Sequence, residues 1–414
     1  MAAPPCKVVV IGTGVVGAAT ACWLLRDGHE VTLLDRLGPG EATSFGNAGA
    51  ISPGSVEPLG HPGMLWRVPG WLADPLGPLT IRWRHLPRLA PWLGRLALAS
   101  TPQRVARIAA ELATYLPHAL EAWLPLLAEA GLESLLRRDG MLWVFATERS
   151  FAEAQAGLRL RRRYGVAIQD VPAGEVRQVE PALGPVYRAA LLPDAGRVLD
   201  PGGLVAGLAR HAMARGARLV RAQALDFDIG PEGPRAVVTD AGAVPADAVV
   251  VAAGAWSHRL ARRLGSRVPL ETERGYHVTI PAPAVAPRRM ILPYGEGFLA
   301  TPMAMGLRVA GTVELASLDA APDWRRADVL LTKARALFPG LQTEGATRWM
   351  GHRPSLPDTK PVISRSPVHR NVFYAFGHGH LGLTGAAITG RLIGDLVAGR
   401  ATAVDLGPFR IDRF

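Results

Sequence analysis

The chain has 414 residues, 49% of them hydrophobic and 20% charged, which excludes a disordered polypeptide and leaves room for two globular domains or one with a large insertion. A formal net charge of +11 raises nucleic acid as a partner. Lys, however, occurs only at Lys7, Lys333 and Lys360, so Arg carries nearly all the positive charge, and with the heavy use of Ala, Gly and Pro this reads as a coding bias. No RNP, helix-turn-helix or zinc-finger signature accompanies it, so no nucleic-acid partner is expected.

Cys6 and Cys22 make neither a disulfide framework nor a zinc quartet, which fits a reducing cytoplasm. The chain runs into its first strand without a charged leader, and no apolar run reaches the ~18 residues of a spanning helix. The expectation is a cytoplasmic protein, at most peripheral on the inner face of the cell membrane. Residues 7–11 are wholly apolar after Lys7, as a buried parallel strand requires. A glycine turn follows, then a helix over 18–26 closed by Asp27-Gly28, and a second strand over 30–35. Residues 60–100 are rich in Trp, Pro and Arg; Trp66, Trp71, Trp83 and Trp92 suit either short helices packed on the protein body or an interfacial lipid contact. A helix over 104–129 and a strand over 140–146 come next. Further helices are expected over 201–215 and 384–398, with strands over 218–227, 236–239, 248–252, 275–280, 297–301, 307–313 and 372–376.

The strongest local signal is Gly12-Thr13-Gly14-Val15-Val16-Gly17, set between a strand and a helix, with Asp35 ending the next strand. Gly12 permits the tight turn, Gly14 lets backbone approach a pyrophosphate, and Gly17 lets helix and strand pack closely. The helix N-terminus favours the phosphate charge, and Asp35 can accept from ribose hydroxyls. Alone, the motif does not separate FAD from NAD, and Arg36 beside Asp35 even suits a 2′-phosphate.

Four further segments resemble the D-amino-acid oxidase superfamily, most closely bacterial D-amino-acid dehydrogenases of the D-proline or hydroxyproline type. They are EATSFGNAGAISP at 41–53, VVAAGAWS beginning at Val249–Val250, GHRPSLPD at 351–358 and FGHGHLGLT at 376–384. The resemblance implies an α/β fold: a Rossmann-like FAD-binding domain with a second, mainly antiparallel β-sheet substrate domain carrying helices. It places residues 1–58, 194–268 and 346–414 in the FAD domain and residues 59–193 and 269–345 in the substrate domain. It implies non-covalent FAD, since 40–55 holds neither His nor Cys. Cofactor contacts are expected from Gly12, Gly14, Val15, Val16, Gly17, Asp35, Arg36, Ser44, Asn47, Ala48, Gly49, Ala224, Ala253, Gly254, Trp256, Gly379, His380, Leu381, Gly382, Leu383 and Thr384. In the last run, backbone amides precede a helix N-terminus, which suits the part of a flavin that gains negative charge.

Arg353 is the expected clamp for a substrate carboxylate, because a planar guanidinium makes a two-point contact. Tyr276, His352 and His380 complete the expected substrate set, His380 standing where some relatives carry a second Arg. No catalytic base is assigned and no metal site is expected. The implied reaction converts a D-amino acid to its imine, with a quinone or an electron-transfer protein as acceptor. Three alternatives remain at this stage: a glycine- or sarcosine-type oxidase using oxygen, an NAD-dependent dehydrogenase, and a non-catalytic flavoprotein subunit of a larger complex.

Overall fold

The computed structural model describes residues 4–74 and 76–414, without the side chains of residues 65–67, 69 and 73. The first strand, Lys7–Ile11, buries all of its apolar side chains. A strand apolar on both faces needs cover on both, and it lies near the centre of a six-stranded sheet. Glu30–Asp35 and Ala248–Val251 pair with it in parallel, Arg218–Arg221 extends one side in parallel, and Val372–Phe376 extends the other. Val362–Arg365 closes the edge antiparallel. This sheet therefore draws on both ends and the middle of the chain.

Parallel neighbours need a crossover, and the first is the helix Val15–Arg26. It packs on the C-terminal helix Gly382–Val397 at very short range: a Cβ on Gly390 would lie 2.9 Å from backbone atoms of Ala19 and Thr20. Small residues at the crossing let the two backbones touch, and both helices begin at the carboxyl ends of the parallel strands. Binding crevices of open α/β sheets form at that edge. The helix Ala119–Ala130 braces the second of them, Trp123 donating from Nε1 to the Leu383 carbonyl at 3.0 Å.

The second large sheet has nine strands, mainly antiparallel. Its functional edge is Thr347–Ser355 against Glu271–Ile280, which pairs in turn with Gly306–Leu315. Residues 347–355, expected on the FAD side of a boundary at 346, are hydrogen-bonded into this sheet as the antiparallel partner of residues 271–279. Two smaller three-stranded sheets complete the architecture.

Two expected elements are split. The helix over 104–129 becomes Pro102–Tyr115 and Ala119–Ala130, separated by a tight turn holding Pro117, whose missing N–H cannot continue the ladder. The strand over 218–227 becomes Arg218–Arg221 in the parallel sheet and Ala224–Gly230 in a separate meander. The 60–100 segment forms the helices Met64–Ala73 and Leu86–Ala99. Trp92 is buried, Trp71 packs partly buried beside it, Trp83 is 67% exposed, and the Trp66 side chain lies outside the described residues.

Candidate active site

Gly12 sits at φ +106°, and a Cβ there would lie 2.4 Å from the carbonyl oxygen of Ala252. No side chain fits, because the turn is pressed against the end of the neighbouring strand. At Gly17 a Cβ would come within 1.9 Å of the Gly12 oxygen, so its role is packing of the helix onto the turn. The helix N-terminus has no side-chain cap from Gly14; Val15 N–H instead donates to Ser44 Oγ at 2.9 Å. The Asp35 carboxylate is fixed by Thr13 N–H at 2.7 Å, Thr13 Oγ1 at 3.0 Å and Leu37 N–H at 3.1 Å, and the Arg36 guanidinium stacks over Trp256.

These groups open on one cavity of about 1310 Å³. Its wall includes Gly12, Gly14, Val15, Val16, Asp35, Arg36, Ser44, Asn47, Ala48, Ala224, Ala253, Gly254, Trp256 and the run Gly379, His380, Leu381, Gly382, Leu383 and Thr384. Gly17 and Gly49 stand off the wall; Gly49, at φ +80°, presses its loop against the Val198 carbonyl. Two helix N-termini without a cap from their own N-cap residue, Val15–Arg26 and Gly382–Val397, thus face the same space. That donor set fits the pyrophosphate and the electron-rich ring edge of FAD. Thr384 ties the two halves together, accepting from Ser52 N–H at 3.1 Å and donating to the Ala50 carbonyl.

Arg353 lies on the same wall. It sits opposite Glu273 in the register, and its guanidinium lies across Gly275: a Cβ at that glycine would be 2.2 Å from Cζ. One nitrogen donates to the Thr312 carbonyl at 3.2 Å. Burial pulls the Arg353 pKa down and the Glu273 charge pushes it back up. Glu273 is itself buried, which tends to raise its pKa; hydrogen bonds from His380 Nε2 at 2.9 Å and Ser355 Oγ at 2.8 Å, with the Arg353 charge, outweigh this and hold it low. Glu273, Gly275 and Ser355 were absent from the sequence expectation. Alternation along Glu271–Ile280 is the signal that could have found Glu273, since it shares a face with Gly275.

Tyr276 is placed with its hydroxyl committed elsewhere. It also borders the cavity, but alternation sends its side chain into the core of the large sheet, where it is 1% exposed. Its hydroxyl donates to Glu314 at 2.6 Å and accepts from Asp323 N–H at 3.0 Å, so it has no proton left for a carboxylate. Burial and the Glu314 hydrogen bond push its pKa up to about 12. His352 also faces away from Arg353: its Nδ1 meets Thr272 Oγ1 at 3.1 Å and its ring packs edge-on to Trp256. Burial, helped by the Arg274 charge, brings its pKa down to about 4, so this residue is a neutral wall element. His380, by contrast, is hydrogen-bonded to Glu273, the cross-strand partner of Arg353.

Beyond this polar patch the cavity extends into an apolar lobe walled by Met64, Trp71, Ile81, Trp92, Leu96 and Leu315. No cysteine lines the cavity: Cys22 is buried against the Leu208 carbonyl with its pKa raised to about 12, chiefly by burial. No cluster of described residues could hold a metal ion, and among them no helix is long and apolar enough to cross a membrane.

Comparison with known proteins agrees with this geometry. The family described as DAO, FAD dependent oxidoreductase, matches residues 7–396. A protein named D-amino-acid oxidase from Bradyrhizobium diazoefficiens is 45% identical, over 98% of both chains. A D-amino acid dehydrogenase from Paramagnetospirillum magneticum is 36% identical over 99% of both. The crystal structure of glycine oxidase from Geobacillus kaustophilus superposes with a TM-score of 0.76 at 25% identity, covering 100% of both chains. With its FAD cradle and its match over nearly the whole length, the chain belongs to the DAO family of FAD-dependent oxidoreductases.

Proposed function

We propose that this flavoenzyme oxidises the C–N bond of a D-amino acid to an imine and passes the electrons to a quinone or another non-oxygen acceptor. The observation that carries the reading is Arg353, a guanidinium lying across Gly275 on the wall of the cavity that the glycine turns open onto. It supplies the two-point contact an α-carboxylate needs. Bound FAD supplies a two-electron acceptor for the hydride leaving Cα. The chain orients the carboxylate, walls the site from water and holds the cofactor without a covalent link, a reading supported by the lack of His and Cys over 40–55. The D configuration is supported by the names of the relatives. A cyclic amine such as D-proline or hydroxy-D-proline is the narrower substrate we propose, since one arginine clamp with a histidine beside it leaves space for a ring.

The apolar lobe over Met64–Ala73 and Leu86–Ala99 supports a lipophilic acceptor, and the exposed Trp83 beside it supports peripheral contact with a membrane surface. Oxygen is the second reading, favoured by the name of the relative at 45% identity. Anaerobic mixing of the yellow protein with a panel of D- and L-amino acids tests the reaction: D-proline and other D-amino acids should bleach the flavin, and bleaching by L-isomers alone would contradict the proposal. Re-oxidation by a soluble quinone faster than by air-saturated buffer is expected; rapid peroxide formation with no quinone response would assign oxygen.

A further inference from the structure

An amino acid arrives mostly as its ammonium form, which has no lone pair with which to form a C=N bond. Something must take that proton before hydride can leave Cα. His380 stands on the 379–384 run of the cofactor wall, its side chain 46% exposed, and its Nε2 is 2.9 Å from Oε2 of Glu273, whose side chain is 2% exposed. A carboxylate only accepts, so Nε2 carries a hydrogen toward Glu273, and Nδ1 is the ring nitrogen left to exchange a proton. The other oxygen of Glu273 accepts from Ser355, and the one further charge facing it is Arg353, its cross-strand partner. One buried carboxylate therefore holds the imidazole and lies across the strand pair from the carboxylate clamp.

Resting on the D-amino-acid reading above, we infer that His380, oriented by Glu273, is the group that takes the proton from the substrate ammonium. The ammonium N–H bond breaks and its electron pair stays on nitrogen, while the proton forms an N–H bond at Nδ1 of His380. The freed nitrogen pair would then form C=N, with bound FAD supplying the acceptor for the hydride that leaves Cα with its bonding electrons. The imidazolium passes its proton to water across the exposed edge. Charges match throughout: Arg353 faces the substrate carboxylate, and Glu273 faces the imidazolium. Glu273 is a positioning residue, because it acts through His380.

The experiment compares flavin-loaded wild type with His380→Asn, His380→Ala and Glu273→Gln, following kcat/KM against pH and the binding of benzoate as a probe of Arg353. His380→Asn should lower kcat/KM near neutrality by roughly 10²-fold and move its acid limb upward, to where the free amine loses its own proton. Added imidazole should restore part of the activity of His380→Ala, and Glu273→Gln should flatten the same limb. Benzoate affinity in His380→Asn should stay within about threefold of wild type. An unchanged pH profile, no imidazole rescue, or a loss of benzoate affinity equal to the loss of kcat/KM would overturn the assignment. His380 is half exposed, so its variants fold even if Glu273→Gln does not. Failure of wild type to react with any D-amino acid would instead refute the function reading, and this inference with it.

Discussion

Gly275→Ala isolates the placement of Arg353 from its presence. A Cβ at position 275 would lie 2.2 Å from Cζ and Nη2 of Arg353 and 2.5 Å from Nη1. Non-bonded atoms settle at about 3.5–4.0 Å, so the guanidinium must retreat by more than about 1 Å. The atoms in the way are the far end of a flexible side chain, and the Glu271–Ile280 ladder can stay intact while they move. What is lost is the aim of a two-point contact. One charge-assisted hydrogen bond is worth about 1.5–3 kcal/mol, which is roughly a 10- to 150-fold fall in kcat/KM. Steady-state kinetics with a reactive D-amino acid, alongside Tm and flavin content, provides the assay; Tm and flavin content should hold. Because the effect runs through Arg353, it should largely vanish in an Arg353→Ala background. Full activity in the single variant, or additive losses in the double variant, would refute the reasoning.

Arg353→Lys keeps the charge and loses the fork, so KM for the carboxylate substrate should rise at least tenfold with flavin content unchanged; wild-type kinetics would remove Arg353 from the site. Gly12→Ala puts a methyl 2.4 Å from a backbone oxygen at a positive φ, so the variant should purify without FAD or fail to accumulate, as an absorbance ratio would show. Gly390→Ala forces apart two helices in backbone contact and should lower stability by about 1–3 kcal/mol, read by denaturant unfolding. His378 is buried with Nε2 on Thr389 Oγ1, and burial brings its pKa down to about 3; burial and the Arg308 charge do the same for His277. Both are neutral in the fold, whereas the unfolded chain takes these protons near pH 6.5. Stability is therefore full above about pH 6.5 and falls as pH drops toward 3, by on the order of 3 kcal/mol per histidine at pH 4. His378→Gln should flatten that slope, and an unchanged slope would contradict the assignment.

The parallel sheet was legible because its strands are short apolar runs next to glycine turns, and Val372–Phe376 matches its expected span residue for residue. The cofactor wall was legible because glycines announce close backbone approach, as at Gly12. Register was not. Which hydroxyl or carboxylate of Glu271–Ile280 is left for a ligand depends on partners fixed by pairing with residues far along the chain. Tyr276 matched the resemblance yet spends its hydroxyl on Glu314, some 38 positions away in sequence. The splitting of 218–227 is equally non-local: the residues on both sides of the break are strand-forming, and only the partner strands differ. His380 was named for its place in a motif, while its chemistry comes from a carboxylate 107 residues earlier.

The measurement that bears most directly on the account is a crystal structure of the flavin-loaded chain with benzoate. The FAD pyrophosphate should lie at the Gly12–Gly17 turn with its ring against 379–384, and the benzoate carboxylate should accept two hydrogen bonds from Arg353 beside that ring. Benzoate bound elsewhere, or Arg353 turned away from the flavin, would contradict the claim that one cavity joins the cofactor to a carboxylate clamp.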